Sequence, residues 1–316
     1  MERIVFGVDV GGTTIKAGCF TMEGRLLEKW TIPTRTQEEG RDILPDISGL
    51  IHGKISGNTV LAGVGIGVPG PVTEAGLVLG CVNLGWDTFH LEKKFSNMLG
   101  GVPVKAGNDA SLAALGEYVM GAGRGCPDMV LVTLGTGVGS GIIIDGHLVT
   151  GYNGAAGEIG HMPLVPECED TCTCGKKGCL ELAASASGIV RQANRLLAGT
   201  DTDSQLRGIK SFTAKDVFEL AKKGDFLSLS VIERAMDYLA SGLACTASVV
   251  NPGLFLIGGG MSGAGMFLVD MLEEKFREKA FTPCGDVKFG IASLGPDAGI
   301  YGAAAQIIQS LRNERL

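Results

Sequence analysis

Short apolar runs separated by glycine turns fill most of the chain, and stretches of helical spacing come in between. The run at residues 4–10 predicts a buried strand ending in Asp9-Val10-Gly11-Gly12-Thr13-Thr14. Residues 15–21 and 26–32 predict two more strands, joined at Glu23-Gly24. Ile and Leu recur at helical spacing over 43–55, residues 60–68 and 102–105 predict strands, and the Ala/Leu-rich 110–120 predicts a helix. The pattern then restarts. A strand at 129–134 ends in Gly135-Thr136-Gly137-Val138-Gly139, and 140–144 and 147–150 form a pair around Asp145-Gly146. Gly11 corresponds to Gly135 and Gly24 to Gly146, so the chain reads as a duplication, two similar domains facing a cleft with a boundary near Gly121-Ala122-Gly123. Helices at 187–197, 214–222, 227–250, 264–279 and 298–311 and strands at 254–257 and 287–292 complete the second half, with a mobile polar stretch expected at 199–210.

Composition narrows the classes. With 45% hydrophobic and 19% charged residues, the bulk of the chain is expected to fold. A net charge of −7 disfavours a binder of the nucleic-acid phosphate backbone, which needs a basic face, but not a nucleotide substrate held by a glycine loop. No secretory leader is read in the opening residues, which points to a cytoplasmic protein. The uncharged stretch 241–269 is broken by Asn251-Pro252-Gly253 and Gly258-Gly259-Gly260, so it reads as a helix end and a buried strand instead of a membrane span. Glycine is the outlier, 50 of 316 residues, and is expected at tight turns and where backbone approaches ligand.

Two matches to G-x-G-x-x-G fail as dinucleotide sites. Gly65 to Gly70 runs into Pro71 instead of a helix, and the strand after Gly258 to Gly263 ends in no acidic residue to hold a ribose. The turn at Asp9 to Thr14, paired with the one at Gly135 to Gly139, is the better phosphate cradle: glycine amides can wrap phosphate, and the Asp9 carboxylate can hold Mg²⁺ through water.

Nine cysteines divide into two sets. Cys19, Cys81, Cys126, Cys245 and Cys284 sit in apolar stretches and are expected in the core. Cys172-x-Cys174-x4-Cys179 lies close to His161, and three thiolates with one imidazole make a closed, structural zinc site. Cys168 is either a spare thiol or a replacement for one ligand. Glu158 precedes His161 by three residues and Glu181 follows Cys179 by two, so a metal would fix two carboxylates suited to accept from sugar hydroxyls. Asn108-Asp109 opens a helix, where Asp109 is either an N-cap or a general base. Asn83-Leu84-Gly85-Trp86 adds an amide and an aromatic that is either core or the wall of a sugar site.

These motifs together resemble the ROK family of sugar kinases and repressors, in the actin-like ATPase (ribonuclease H-like) superfamily. The motifs that carry the resemblance are Asp9-x-Gly-Gly-Thr13, Gly70-Pro71, Asn83-Leu-Gly-Trp86, Asn108-Asp109, Leu134-Gly-Thr-Gly-x-Gly139, Glu158-x-Gly-His161, Cys172-x-Cys-Gly-x-x-Gly-Cys179-x-Glu181 and Gly258-Gly-Gly260. The Asn83 to Trp86 stretch looks most like the family's bacterial glucokinases. The resemblance implies an α/β fold of two domains flanking a cleft, residues 1–122 plus 297–316 and residues 123–296. It implies MgATP-dependent phosphorylation of a hexose at its 6-hydroxyl, glucose foremost, with fructose, mannose, allose, N-acetylglucosamine and N-acetylmannosamine as alternatives. Asp109 matches the base; Gly70, Asn83, Asn108, Glu158, His161 and Glu181 match sugar-binding positions. Asp9, Gly11, Gly12, Thr13, Lys16, Gly135, Thr136 and Gly137 match the phosphate side, and Gly258, Gly259 and Gly260 the nucleoside side. Homodimers or homotetramers are the family's usual states. A sugar-responsive regulator is the less favoured reading, since Asp9 leaves no room ahead of it for a DNA-binding segment.

Overall fold

The structure is a computed structural model that describes residues 2–55 and 57–313; the ends of the expected first domain, residue 1 and residues 314–316, lie outside the described residues. Along the chain run β1 (Glu2–Val10), β2 (Thr14–Thr21), β3 (Leu26–Pro33), α1 (Gln37–Gly40), α2 (Ile43–Lys54), β4 (Thr59–Val68), β5 (Leu77–Cys81), β6 (Trp86–His90), α3 (Leu91–Met98), β7 (Val104–Asn108) and α4 (Asp109–Met120). Then come β8 (Met129–Leu134), β9 (Val138–Ile144), β10 (His147–Leu148), α5 (Glu181–Ala184), α6 (Ala186–Gly199), α7 (Ala214–Lys222), α8 (Phe226–Val250), β11 (Leu254–Gly258), α9 (Met266–Lys279), β12 (Lys288–Ile291) and α10 (Ala298–Asn313). This is a mixed α/β protein.

The two main sheets have the orders β3-β2-β1-β4-β7 and β10-β9-β8-β11-β12. Each places its strands in the sequence third, second, first, fourth, fifth, the pattern a duplication leaves. In the first, β1 is antiparallel to β2 and parallel to β4, which is parallel to β7. In the second, β11 is parallel to both β8 and β12. By compactness the chain divides into Met1–Pro127 with Gly141–Gly157 and Leu294–Leu316, and Asp128–Ser140 with Glu158–Ser293.

In the first unit the sheet has an apolar layer on each face. Phe6, Val8, Val64 and Ile66 pack with Ile43, Ile47 and Ile51 of α2. Val5, Phe20 and Ala62 pack with Ile300, Ala304, Ile307 and Leu311 of α10. A register shift between Ile4 and Val5 turns Gly63, Gly65 and Gly67 of β4 toward α10 and α4. A methyl on Gly65 would overlap the Ala303 carbonyl, and one on Gly302 would overlap the Leu112 carbonyl. A few glycines, Gly7, Gly65, Gly116 and Gly302 among them, thus bring a helix backbone onto strand and helix backbones, a use beyond the expected turns, where eighteen glycines of positive φ are found among the described residues.

Several expectations are corrected. Residues 199–210 are pinned: Ser204 Oγ and Gln205 N donate to the Asp225 carboxylate at 3.0 and 2.8 Å, and Arg207 donates to the Leu197 carbonyl at 3.0 Å. Leu206 is buried beneath them, so the polar composition there serves a satisfied network. Cys245 is exposed on α8, while Cys126 and Cys284 are half-buried. Trp86 is core: it is buried, stacks edge-on with Phe89 and donates its indole N–H to the Gly40 carbonyl. The β5–β6 hairpin and α3 were not expected, because their strands are five residues long and hold the motif residues that read as a loop. Among the described residues no helix is long and apolar enough to cross a membrane.

Backbone-on-backbone packing gives a sharp contrast between glycines. Gly65→Ala should cost about 3 kcal/mol or more, through forced displacement of α10. Gly49→Ala, in the exposed middle of α2 with nothing within 4 Å, should gain about 0.5–1 kcal/mol. Chemical denaturation of the two variants checks this, and equal midpoints would contradict it.

Candidate active site

The first unit gathers its site residues at the C-terminal ends of parallel strands, where ligands of open α/β sheets bind. Asp9 of β1, Gly67 of β4 and Gly107 of β7 form one row across the sheet, and Asn108 pairs with Val68 one step beyond. Asp9 is largely buried; burial pushes its carboxyl up to about 6, and Lys16, directly across the ladder, pulls it back. Glycines make room for that carboxylate, since a methyl on Gly299 would sit 2.7 Å from Asp9 Cγ. Lys16 Nζ also donates to the Pro296 carbonyl at 2.5 Å.

The two readings of Asn108-Asp109 separate. Asn108 has extended backbone, and its Oδ1 accepts from Ser111 N at 3.0 Å, so Asn108 is the N-cap of α4. Its Nδ2 donates to the Gly70 carbonyl at 3.5 Å. Asp109 is the first helical residue, half-buried, and its Oδ1 accepts from Ala110 N at 2.8 Å. Burial, with the Asp109 charge second, pushes the neighbouring Cys81 thiol up to about 12. Gly70 is fixed by the β5–β6 hairpin, since a methyl there would meet the Gly80 carbonyl at 2.5 Å. Asn83 lies in the short 3-10 turn Val82–Leu84, closed by left-handed Gly85 (φ 71°). Its backbone carbonyl and Cβ border Gly12.

The Gly11–Thr14 turn is closed by Gly11 N donating to the Thr14 carbonyl at 3.0 Å. Thr34 holds it from one side: its Oγ1 donates to the Gly11 carbonyl at 2.7 Å and its N to the Thr13 carbonyl at 2.9 Å. Thr34 follows Pro33 in a plain polar stretch and carries no motif that reading along the chain could have found.

The second unit repeats this turn between β8 and β9. Gly135 N donates to the Gly137 carbonyl at 3.0 Å, Ala186 N to the Gly135 carbonyl at 2.9 Å, and Ser187 Oγ to the Thr136 carbonyl at 2.8 Å. Left-handed Gly259 (φ 78°) brings the end of β11 against Leu134, just ahead of this turn, while Gly260 faces open space. The glycine motifs at 135–137 and 258–260 thus adjoin within one unit.

His161, Cys172, Cys174 and Cys179 offer one ligand atom each, all within 4.8 Å of one another. Cys172 Sγ lies 3.5 Å from His161 Nδ1, and Cys174 and Cys179 Sγ are 3.6 Å apart. That is too long for a disulfide, about 2.05 Å. It matches the edge of a tetrahedron with metal–sulfur bonds of about 2.3 Å. Left-handed Gly175 turns the chain so that Cys172 and Cys174 converge. Cys168 is outside the set: its Sγ donates to Asp170, which Arg191 and Arg195 hold at 2.7 and 2.6 Å.

The two carboxylates flank this cluster. Glu158 Oε2 is 3.8 Å from His161 Nε2, on the ring edge away from the thiols, and burial holds the Glu158 carboxyl above its ordinary range. Glu181 accepts from Cys172 Sγ at 3.0 Å with Oε1 and from Val138 N at 3.4 Å with Oε2. It therefore links the cysteine cluster to the second glycine turn, a connection that spacing along the sequence does not show.

Comparison with known proteins identifies the family. The ROK family model matches residues 5–310. A glucokinase from Halalkalibacterium halodurans is 42% identical over 95% of this chain and 94% of its own length. One from Thermotoga maritima is 34% identical over 96% of both. A crystal structure of a ROK family glucokinase from Streptomyces griseus, in complex with glucose and AMPPNP, superposes with a TM-score of 0.78 at 35% identity, covering 96% of this chain and 98% of that one. Matched over nearly its whole length by family model and relatives alike, the chain belongs to the ROK family, whose sugar kinases carry the actin-like ATPase fold.

Proposed function

We propose that this chain is an ATP-dependent glucokinase in which Asp109 takes the proton of the glucose 6-hydroxyl as the γ-phosphoryl group is transferred. The observation that carries the assignment of Asp109 is that Asn108 already caps α4, so a carboxylate at the next position is not needed for capping. The O6–phosphorus bond forms, the bond between the γ-phosphorus and the β-phosphate oxygen breaks, ADP leaves, and the proton passes to Asp109. A sugar hydroxyl ionises too weakly to react unaided, and phosphoryl transfer is otherwise a matter of position and charge. The side chains read as sugar contacts are Asn83 and Asn108, with the Gly70 segment, and Glu158, His161 and Glu181. Amides of the turns at Gly11–Thr13 and Gly135–Gly137, and Lys16, are read as phosphate contacts, and Gly258–Gly260 as the nucleoside contact. Mg²⁺ near Asp9 would neutralise phosphate charge when bound.

The donor set at His161, Cys172, Cys174 and Cys179 fits a structural zinc. Nδ1 of His161 faces the thiols, which leaves Nε2 to face Glu158 and the sugar. Such a metal would hold Glu158 and Glu181 in place without taking part in the chemistry.

Three outcomes follow. Asp109→Asn should lower kcat by about 10²–10⁴-fold while the glucose Kd by calorimetry stays near wild type; an unchanged kcat would return Asp109 to a purely local role. Protein purified without chelators should hold one zinc per chain by elemental analysis, and Cys174→Ser should lose it and raise the glucose KM; fully active zinc-free protein would contradict the site. In a coupled assay glucose should exceed N-acetylglucosamine and N-acetylmannosamine in kcat/KM, and equal or reversed values would overturn the sugar assignment.

A further inference from the structure

In a trans peptide the carbonyl and the following N–H point in opposite directions. No peptide bond among the described residues is cis. Whatever holds the carbonyls on one side of a turn therefore turns the next amides out on the other. In the second glycine turn, Ala186 N holds the Gly135 carbonyl and Ser187 Oγ holds the Thr136 carbonyl, at 2.9 and 2.8 Å. The N–H groups of Thr136 and Gly137 are thereby directed away from the start of α6. The first turn has the same construction. Thr34 Oγ1 and N hold the Gly11 and Thr13 carbonyls at 2.7 and 2.9 Å, directing the N–H groups of Gly12 and Thr14 outward.

The duplicated turns thus share a device absent from their own motifs: one hydroxyl, brought from a distant stretch of the same unit, ties a turn carbonyl. Ser187 sits 51 residues from its partner and Thr34 sits 23 from its own. Ser187 is itself steadied, since its hydroxyl is 3.0 Å from that of Ser185, the N-cap of α6. No motif singled out along the chain includes either residue.

We infer that Ser187 and Thr34 are positioning residues for phosphoryl transfer: each locks its glycine turn with the amides facing the nucleotide phosphates. The inference rests on the proposal that these turns hold phosphate. Without the hydroxyl the carbonyl is free to rotate, and the amide behind it rotates too. The loss then falls on nucleotide binding, because neither hydroxyl is among the proposed sugar contacts.

Calorimetry with MgAMPPNP and, separately, with glucose tests this on the full-length protein. Ser187→Ala and Thr34→Val should each weaken MgAMPPNP binding about 3- to 10-fold, the loss of one hydrogen bond, with glucose Kd and thermal midpoint near wild type. Ser187→Thr and Thr34→Ser keep the hydroxyl and should restore the affinity. Unchanged nucleotide affinity in the hydroxyl-free variants, or equal losses in the hydroxyl-keeping ones, would overturn the inference and leave the kinase assignment standing. Wild-type protein that binds no MgAMPPNP would overturn the phosphate reading and this inference with it.

Discussion

Close approach of one backbone to another is the constraint on which this structure depends. Helix α10 lies against β4 where Gly63 and Gly65 present no side chain, and crosses α4 where Gly302 and Gly116 meet the opposing backbone. That contact keeps the ends of β1, β4 and β7 flush, so Asp9 and Asp109 come to the same edge from residues a hundred positions apart. The same absence of side chain at Gly299 leaves the space the Asp9 carboxylate fills. A methyl added at these crossings would not merely crowd the core; it would move the strand ends that hold Asp9 and Asn108.

Unlike the first, the second unit rests on a knot of side chains. The cysteine and histidine donors bring residues 158–181 together over a short span, and Glu181 reaches from that knot to Val138 in the glycine turn. The start of α6 reaches the same turn at Gly135 and Thr136 through Ala186 and Ser187. The carboxylates proposed for sugar and the turn amides proposed for phosphate are therefore fixed by one continuous segment. Disturbing the cysteines is expected to be felt at both substrates.

Much of this was legible in the sequence, for physical reasons that can be named. The buried strands within Glu2–Val10 and Met129–Leu134 are mainly apolar runs followed by glycine turns, and the cysteine spacing fits one metal geometry. What could not be read depends on contacts between distant residues. Trp86 was ambiguous until Gly40 was found accepting its N–H, and the polar stretch around Ser204 looked mobile because Asp225, its partner, lies 21 residues on. Which of Asn108 and Asp109 caps α4 depends on the bond from Ser111 N to Asn108 Oδ1, which spacing alone does not show. Thr34 and Ser187 were missed because a hydroxyl that ties a carbonyl leaves no pattern in its own neighbourhood.

The central claim is that the chain moves a phosphoryl group from ATP to the 6-hydroxyl of glucose, and the identity of the product tests it most directly. Purified protein incubated with glucose, ATP and Mg²⁺ should give, by phosphorus NMR, glucose 6-phosphate and ADP in equal amounts. Inorganic phosphate with no sugar phosphate, or a phosphate ester at another carbon of the ring, would contradict the account.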